Sequence, residues 1–185
     1  MNEVSRFITD PIQSGGNASW NPGQFGVASH ELTENKATEI KEWYETIQSK
    51  HHPTLDIGMR RLLSATTSRS DPLDSFVDAV ICWENMFGAR TETIFRVTGS
   101  IAKLIGSDDP SGRLDFQSEL KKLYSARSSL VHGGKEPSVK KVIEYRDRAI
   151  EIAADCFRAL YCDRPDLLDL ESEARGARLL LKVVP

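Results

Sequence analysis

The chain has 185 residues, enough for one domain with its own hydrophobic core. Apolar residues make up 39% and charged residues 28% of it, a balance that excludes a disordered chain. The net charge of −3 excludes a broad basic surface, so a polyanion would have to bind in a local cleft.

The three cysteines, Cys82, Cys156 and Cys162, are odd in number and contain no CxxC pair. This argues against a disulfide framework or a structural zinc site, and it favours a reducing compartment. Cys82 and Cys156 lie in apolar helical patterns, so we expect buried, unreactive thiols. The N-terminus lacks the features of a signal peptide, and no stretch approaches 18 apolar residues. We therefore expect a cytoplasmic protein without a membrane span.

Glycine, serine, asparagine and proline dominate residues 13–26, which predicts an irregular arm over residues 1–32. Residues 33–185 carry apolar side chains at helical spacing, which predicts a single all-α domain. We expect an antiparallel bundle of about five to seven helices. The predicted helices span residues 33–51, 56–68, 72–87, 91–105, 110 to 130 or 131, and 139–162, with one more within 166–184.

Local signals mark several helix ends. Asp71-Pro72 and Asp109-Pro110 each combine an N-cap carboxylate with proline at the first helical position. Pro137 or Ser138 is expected to open the helix that starts near Val139. Glycines follow three of the predicted helices, where glycine commonly ends a helix: Gly88, Gly106 and the pair Gly133-Gly134.

Two charged residues fall on apolar stripes. Glu84 shares a stripe with positions 73, 77, 80 and 87, and Arg127 shares one with positions 116, 120, 123 and 130. Because an isolated buried charge is costly, each needs a partner, and each is the first candidate for the other. Arg96 and Arg146 are rival partners for Glu84. The alternative without function is that Glu84 and Arg127 only fasten two helices together.

His132 follows Arg127 by five residues, a step that separates the two side chains by roughly 140° on a continuous helix. They can share a site only if the helix ends between them, and Gly133-Gly134 is a termination signal. The dipole at a helix C-terminus favours a protonated histidine. The alternative interpretation of His132 is a simple helix cap.

An arginine beside a histidine suits a phosphodiester. The guanidinium of Arg127 is permanently charged and can clamp phosphate oxygens in a bidentate fork. The imidazole of His132 can take and give a proton near neutral pH. Because RNA carries its own nucleophile, the 2′-OH, this pair would need no serine or cysteine nucleophile, no metal and no other cofactor.

The segment Tyr124–Gly133, Y-S-A-R-S-S-L-V-H-G, resembles the R-x4-6-H signature of HEPN domains in the form of the ApeA-like branch. Residues 78–87, D-A-V-I-C-W-E-N-M-F, are similar to the acidic helix of that branch. Residues 94–104 are similar to the next helix of that branch, and Arg96 matches an arginine of that helix. The ordered set along the chain is Glu84, Arg96, Tyr124, Arg127, His132 and Gly133, and the resemblance covers about residues 38–162.

This resemblance implies a helical domain that forms a homodimer and brings two R-x4-6-H motifs to one cleft. Catalytic members are metal-independent endoribonucleases, often toxins or antiviral defence effectors. Arg127 would stabilise the phosphorane and His132 would act as general base or acid in transfer to the 2′-OH, with Glu84 orienting Arg127. The implied substrate is single-stranded RNA or tRNA, and an antitoxin or sensor protein is a further expected partner.

The chain departs from the family pattern at two positions. Ser128 follows the motif arginine, where catalytic members often carry Asn, Asp or His, so its supporting role is weaker. Gly134 stands where members regulated by AMP transfer have tyrosine, so that regulation is not expected. Some members of the superfamily are non-catalytic, which leaves a helical module for dimerisation or for nucleotide or partner binding as the alternative function.

Other polar residues carry weaker signals. His51-His52 lies outside any HxxxH or carboxylate motif, so no metal site is expected there. Three lysines near the motif, Lys121, Lys122 and Lys140, are candidates for a basic substrate rim, although solvated faces explain them equally well. The irregular first residues also keep open an accessory role beside an enzymatic part on another chain.

Overall fold

The protein is described by a computed structural model that covers residues 32–133 and 137–181. The chain divides into two compact units, residues 1–51 and residues 52–185. The predicted arm lies outside the described residues, apart from Leu32. In the first unit, helix α1 spans Glu34–Lys50 and begins at the N-cap Thr33, whose hydroxyl accepts the Lys36 N–H.

All regular secondary structure in the described residues of the second unit is helical, which confirms the predicted all-α class. Its six helices are α2 Asp56–Leu63, α3 Pro72–Phe87, α4 Thr93–Ile105, α5 Pro110–Val131, α6 Val139–Cys162 and α7 Ser172–Leu181. A π-helical turn, Ser64–Ser68, extends α2, and 3-10 turns at Pro53–Leu55 and Pro165–Leu167 precede α2 and α7. In the described part of the chain, no helix is both long and apolar enough to cross a bilayer.

The predicted helix starts are confirmed where a capping side chain exists. The Asp71 carboxylate accepts the Leu73 N–H at 2.8 Å, and Asp109 accepts the Gly112 N–H at the same distance. Helix α4 begins at Thr93, two residues later than predicted, and its N-cap Glu92 offers no side-chain cap. Glu92 instead takes the left-handed conformation, with φ 53°.

Helix α3 is central to the packing of the second unit, with α2, α6 and α7 against it. Its contacts with α6 advance in the same direction along both helices: Phe76 meets the Tyr145 ring, and the Trp83 indole N–H donates to the Ala149 carbonyl at 3.2 Å. This pair therefore differs from the expected antiparallel arrangement. Cys82 and Cys156 are fully buried as predicted, and burial raises the pKa of both thiols.

A buried arginine on α7 fastens the end of α3. The Arg175 guanidinium is fully inaccessible to solvent, and burial lowers its pKa to about 10. It is compensated by oxygens rather than by a paired carboxylate. Its five acceptors are the carbonyls of Met86, Leu167, Leu168 and Leu170 and the Thr54 hydroxyl. The guanidinium thus binds the Met86 carbonyl in the last turn of α3, where carbonyls have no partner within their own helix, and three carbonyls of the segment before α7.

A buried carboxylate on α3 binds side chains from α2 and from the segment between α2 and α3. Asp78 is 2% exposed and accepts hydrogen bonds from Arg61 Nη1 at 2.7 Å, Arg69 Nε at 2.7 Å and Ser64 Oγ at 3.0 Å. Burial alone would raise the pKa of Asp78, but the hydrogen bonds from Arg69, Ser64 and Arg61 outweigh it and hold the pKa below its ordinary value.

Replacing Arg175 with methionine should lower the free energy of unfolding by at least about 3 kcal/mol, because several buried carbonyls lose their donor. Thermal and urea unfolding of purified protein measure this. The control is Arg158→Met on the exposed face of α6, which should shift stability by less than about 0.5 kcal/mol. Equal stability of the two variants would contradict the role given to Arg175.

Asp78→Asn should destabilise the protein by about 1–3 kcal/mol at pH 7. Because the pKa of Asp78 is lower in the folded protein than in the unfolded chain, its stabilisation is present above the unfolded pKa of about 4 and disappears as the pH falls through the folded value. Urea unfolding at pH 7 and pH 3 should therefore show the variant and the wild type converging in acid. The exposed neighbour Asp74, changed to asparagine, should show neither effect.

Candidate active site

Glu84 and Arg127 contact each other, as the stripes predict. Arg127 Nη2 donates to Glu84 Oε2 at 3.2 Å, joining the last turns of α3 and α5. The Arg127 side chain is 18% exposed and that of Glu84 is 26% exposed. Both lie at the edge of the core rather than inside it, because the buried face of α3 runs through Phe76, Val80 and Trp83. The pair is therefore open to solvent on one side.

Tyr124 completes this cluster. Its hydroxyl donates to Glu84 Oε1 at 2.5 Å, so the two oxygens of one carboxylate hold two different residues of α5. Burial, followed by the hydrogen bond to Glu84, raises the pKa of Tyr124 far above its ordinary value. The phenol therefore stays protonated and remains a donor. Tyr124 and Arg127 share a helix face because they are three residues apart.

The Arg127 guanidinium is only partly satisfied. Nη2 is held by Glu84, whereas Nε is buried and has no hydrogen-bond partner within the described residues. No other described residue forms a hydrogen bond with Nη1. Because a buried N–H without a partner is rare, the guanidinium keeps donor capacity beyond its hydrogen bond to Glu84.

His132 lies at the C-cap of α5 and is exposed. Its own N–H still donates to the Ser128 carbonyl at 3.1 Å, so the helical pattern continues through it. The backbone turns away only at Gly133, which has φ 77°. Helix α5 thus ends at Val131, within the predicted bounds, but the His132 N–H keeps a helical hydrogen bond, so the two side chains leave α5 roughly 140° apart. Helical geometry alone therefore does not bring this pair together within one subunit.

The rival partners of Glu84 are engaged elsewhere. Arg96 lies 3.8 Å from Glu173, and Arg146 pairs with its neighbour Asp147 at 2.7 Å. Arg96 Nε is buried without a hydrogen-bond partner in the described part of the chain, as Arg127 Nε is.

The remaining predicted residues separate into two groups. Ser128 and Lys121 lie on the face of α5 that leads to His132, because residues 121, 125, 128 and 132 follow helical spacing. Lys122 and Lys140 are exposed, and neither lines one of the two clefts that lie beside Glu84 and Lys121. Gly134 lies outside the described residues.

Two adjoining clefts border this region. One, of about 480 Å³, is lined by Glu84, the end of α3, Arg90, Thr93 and the acidic residues Glu171 and Glu173. The other, of about 670 Å³, is lined by Glu92, Thr93, Ile94, Phe95 and Lys121. The first is rich in carboxylates and therefore repels phosphate, whereas the second combines apolar side chains with a cation.

Apart from Glu84 and Lys121, sequence reasoning missed the residues that form these clefts. Glu171 and Glu173 precede α7 and follow no motif, so nothing in the sequence connects them with Glu84. Phe95 did carry a signal, because it lies beside the arginine of the motif helix, but its exposure follows from the packing of α4. Among the described residues, no three His, Cys, Asp or Glu side chains come close enough to hold a metal ion.

Glu84→Ala should lower the free energy of unfolding by about 1–3 kcal/mol, because it leaves a half-buried guanidinium and a buried phenol without their acceptor. Tyr124→Phe should lose about 1 kcal/mol, since the acceptor keeps Arg127. Chemical unfolding measures both. The control Glu144→Ala breaks an exposed pair with Lys141 and should leave the stability nearly unchanged. A Glu84 variant as stable as this control would contradict the pairing.

No family model, curated protein or solved structure matches this chain. The resemblance to HEPN domains therefore rests on the residues themselves, from Asp78 to Gly133. The contact of Glu84 with Tyr124 and Arg127 joins α3 to α5.

Proposed function

We propose that this protein is a metal-independent endoribonuclease of the HEPN type, with Arg127 and His132 as catalytic residues. The observation that carries the proposal is the Arg127 guanidinium, which is oriented by Glu84 at 3.2 Å and retains two N–H-bearing nitrogens without partners in the described residues. A guanidinium that is held in place, is permanently charged and has N–H groups without partners suits the oxygens of a phosphodiester.

The proposed reaction is an internal transfer. His132 removes the proton of the 2′-OH, whose oxygen attacks the adjacent phosphorus, and Arg127 stabilises the negative charge of the phosphorane. The bond from phosphorus to the 5′-oxygen then breaks, and a protonated imidazole supplies the proton of that leaving oxygen. The products are a 2′,3′-cyclic phosphate and a free 5′-OH. Glu84 and Tyr124 act as positioning residues because they hold Arg127 without approaching the substrate.

The orientation of the motif favours a site shared between two subunits. Arg127 and His132 leave α5 on different faces, so one chain presents them in different directions. A two-fold symmetric homodimer solves this problem, since Arg127 of one subunit and His132 of the partner subunit can meet at one phosphate. The complete enzyme is then a dimer with two equivalent composite sites.

The biological setting follows from the resemblance alone. We propose a cytoplasmic defence or toxin nuclease that acts on single-stranded RNA or tRNA and is restrained by an antitoxin or sensor protein. A second function, as a non-catalytic binding module, is favoured by the carboxylate-rich cleft of Glu84, Glu171 and Glu173. Such a cleft suits a basic segment of a partner protein better than a nucleic acid.

The decisive experiment incubates purified protein with single-stranded RNA in EDTA. We expect cleavage to persist, and Arg127→Ala or His132→Ala to reduce it by about 10²–10⁴-fold. A mixture of these two variants should recover about a quarter of the activity, because half of the dimers are mixed and each has one intact composite site.

The exposed variant Arg158→Ala should cleave like the wild type, which controls for purity and folding. RNA left intact by the wild type in every buffer would contradict the nuclease proposal and favour the binding module. Cleavage without recovery in the mixture would contradict only the shared site, because an active centre within one chain cannot be restored by subunit exchange.

A further inference from the structure

We infer that the cleft between α4 and α5 is a base-stacking subsite, in which an unpaired base of single-stranded RNA stacks on Phe95 while Lys121 holds an adjacent phosphate. This inference rests on the proposed function for its substrate class. Its evidence is separate from the catalytic residues, since neither Arg127 nor His132 lines this cleft.

Phe95 is unusual in its exposure. Its side chain is 53% exposed, and its neighbour Ile94 is 42% exposed. The other phenylalanines of the described second unit are buried or half-buried, including Phe76, Phe87 and Phe157. An exposed aromatic ring without a polar atom loses favourable burial, and stacking on a nucleobase restores it.

The cleft itself fits a base with its phosphate. Its volume is about 670 Å³, and Lys121 lines it from α5 opposite the first turn of α4. Lys121 is exposed, and its ammonium has no ion-pair partner within the described residues. An aromatic face beside a free cation is the combination that binds single strands with little sequence preference.

The acidic residue of the cleft also has a place in this arrangement. Glu92 holds the left-handed backbone conformation, with φ 53°, at the rim next to Phe95. A carboxylate accepts hydrogen bonds but repels phosphate, so it suits the N–H groups of a base edge. The charges in the cleft therefore distinguish its base side, at Glu92, from its phosphate side, at Lys121.

The position of the cleft leads toward the catalytic residues. Thr93 lines both this cleft and the one that contains Glu84. Lys121 lies on the same α5 face as His132, roughly 16 Å away along the helix axis, with Ser125 and Ser128 between them. This face carries no carboxylate between Lys121 and His132, so a strand can follow it without repulsion. The stacked base then lies several nucleotides from the bond that is cleaved.

The test measures RNA binding in the His132→Ala background, where cleavage does not interfere. Fluorescence anisotropy compares a labelled 12-nucleotide single strand with an oligomer of the same length made of abasic residues. Phe95→Ala should weaken binding of the normal strand about 5- to 150-fold and leave abasic binding unchanged, because only the normal strand has bases to stack. Phe95→Tyr should retain the wild-type affinity.

Matched controls come from the same surface class. Ile57→Ala removes another exposed apolar side chain, on α2, and should have no effect. Lys121→Ala should weaken both oligomers and flatten the salt dependence, whereas Lys122→Ala should do so less, because Lys122 does not line the cleft. A duplex RNA of the same length should compete poorly, since its bases are already stacked.

The outcomes separate this subsite from the nuclease. If Phe95→Ala binds the normal strand like the wild type, or weakens both oligomers equally, the subsite is wrong even where Arg127→Ala abolishes cleavage. If Phe95→Ala instead changes only self-association in sedimentation, the surface serves a second copy and the RNA subsite is again wrong. If the wild-type protein cleaves no RNA, but the difference in affinity between the two oligomers still depends on Phe95, the subsite stands and the nuclease proposal falls.

Discussion

The second unit is organised by the need to compensate charges and carbonyls along one helix. Helix α3 carries Asp78 and Glu84, two carboxylates that packing removes from most of the solvent. Asp78 draws the turn after α2 against α3, Glu84 draws α5, and the Met86 carbonyl receives Arg175 from α7. Each link exists because an unpaired polar group at these depths is costly. The position of the candidate site therefore follows from the same compensation that holds the helices together.

Much of the helical framework could be read from the sequence because its signals are local. Asp71-Pro72 and Asp109-Pro110 define α3 and α5 by capping chemistry that needs no tertiary information. The start of α4 was predicted two residues too early, because no side chain caps this helix. The helix begins after Glu92, whose backbone takes the left-handed conformation. The relative direction of α3 and α6 depends on contacts between distant residues, such as Phe76 with Tyr145, and no local pattern encodes it.

The candidate site also has features that the sequence predicts and features that it does not. The pairing of Glu84 with Arg127 could be predicted, because a charge on an apolar stripe demands compensation and only a few cations were available. The same reasoning applies to Arg175, whose neighbour at helical spacing, Leu179, is buried, but α7 is too short to show a clear apolar stripe. The relation of Arg127 to His132 depends on a single residue in the position where α5 ends. Glycine marks that end in the sequence only to within a residue or two.

Gly133 shows what kind of constraint terminates this helix. Its φ is +77°, yet an added Cβ would meet no atom of the described residues within 4 Å. Glycine is therefore favoured here because of the backbone conformation and not because space is short. An L residue strains its own backbone at this positive φ. A mirror-image residue, such as D-alanine introduced by chemical synthesis, has the opposite preference and fits the open space. It would narrow the conformations open to the chain just beyond His132 without touching any neighbour, and so fix the direction in which the chain leaves α5.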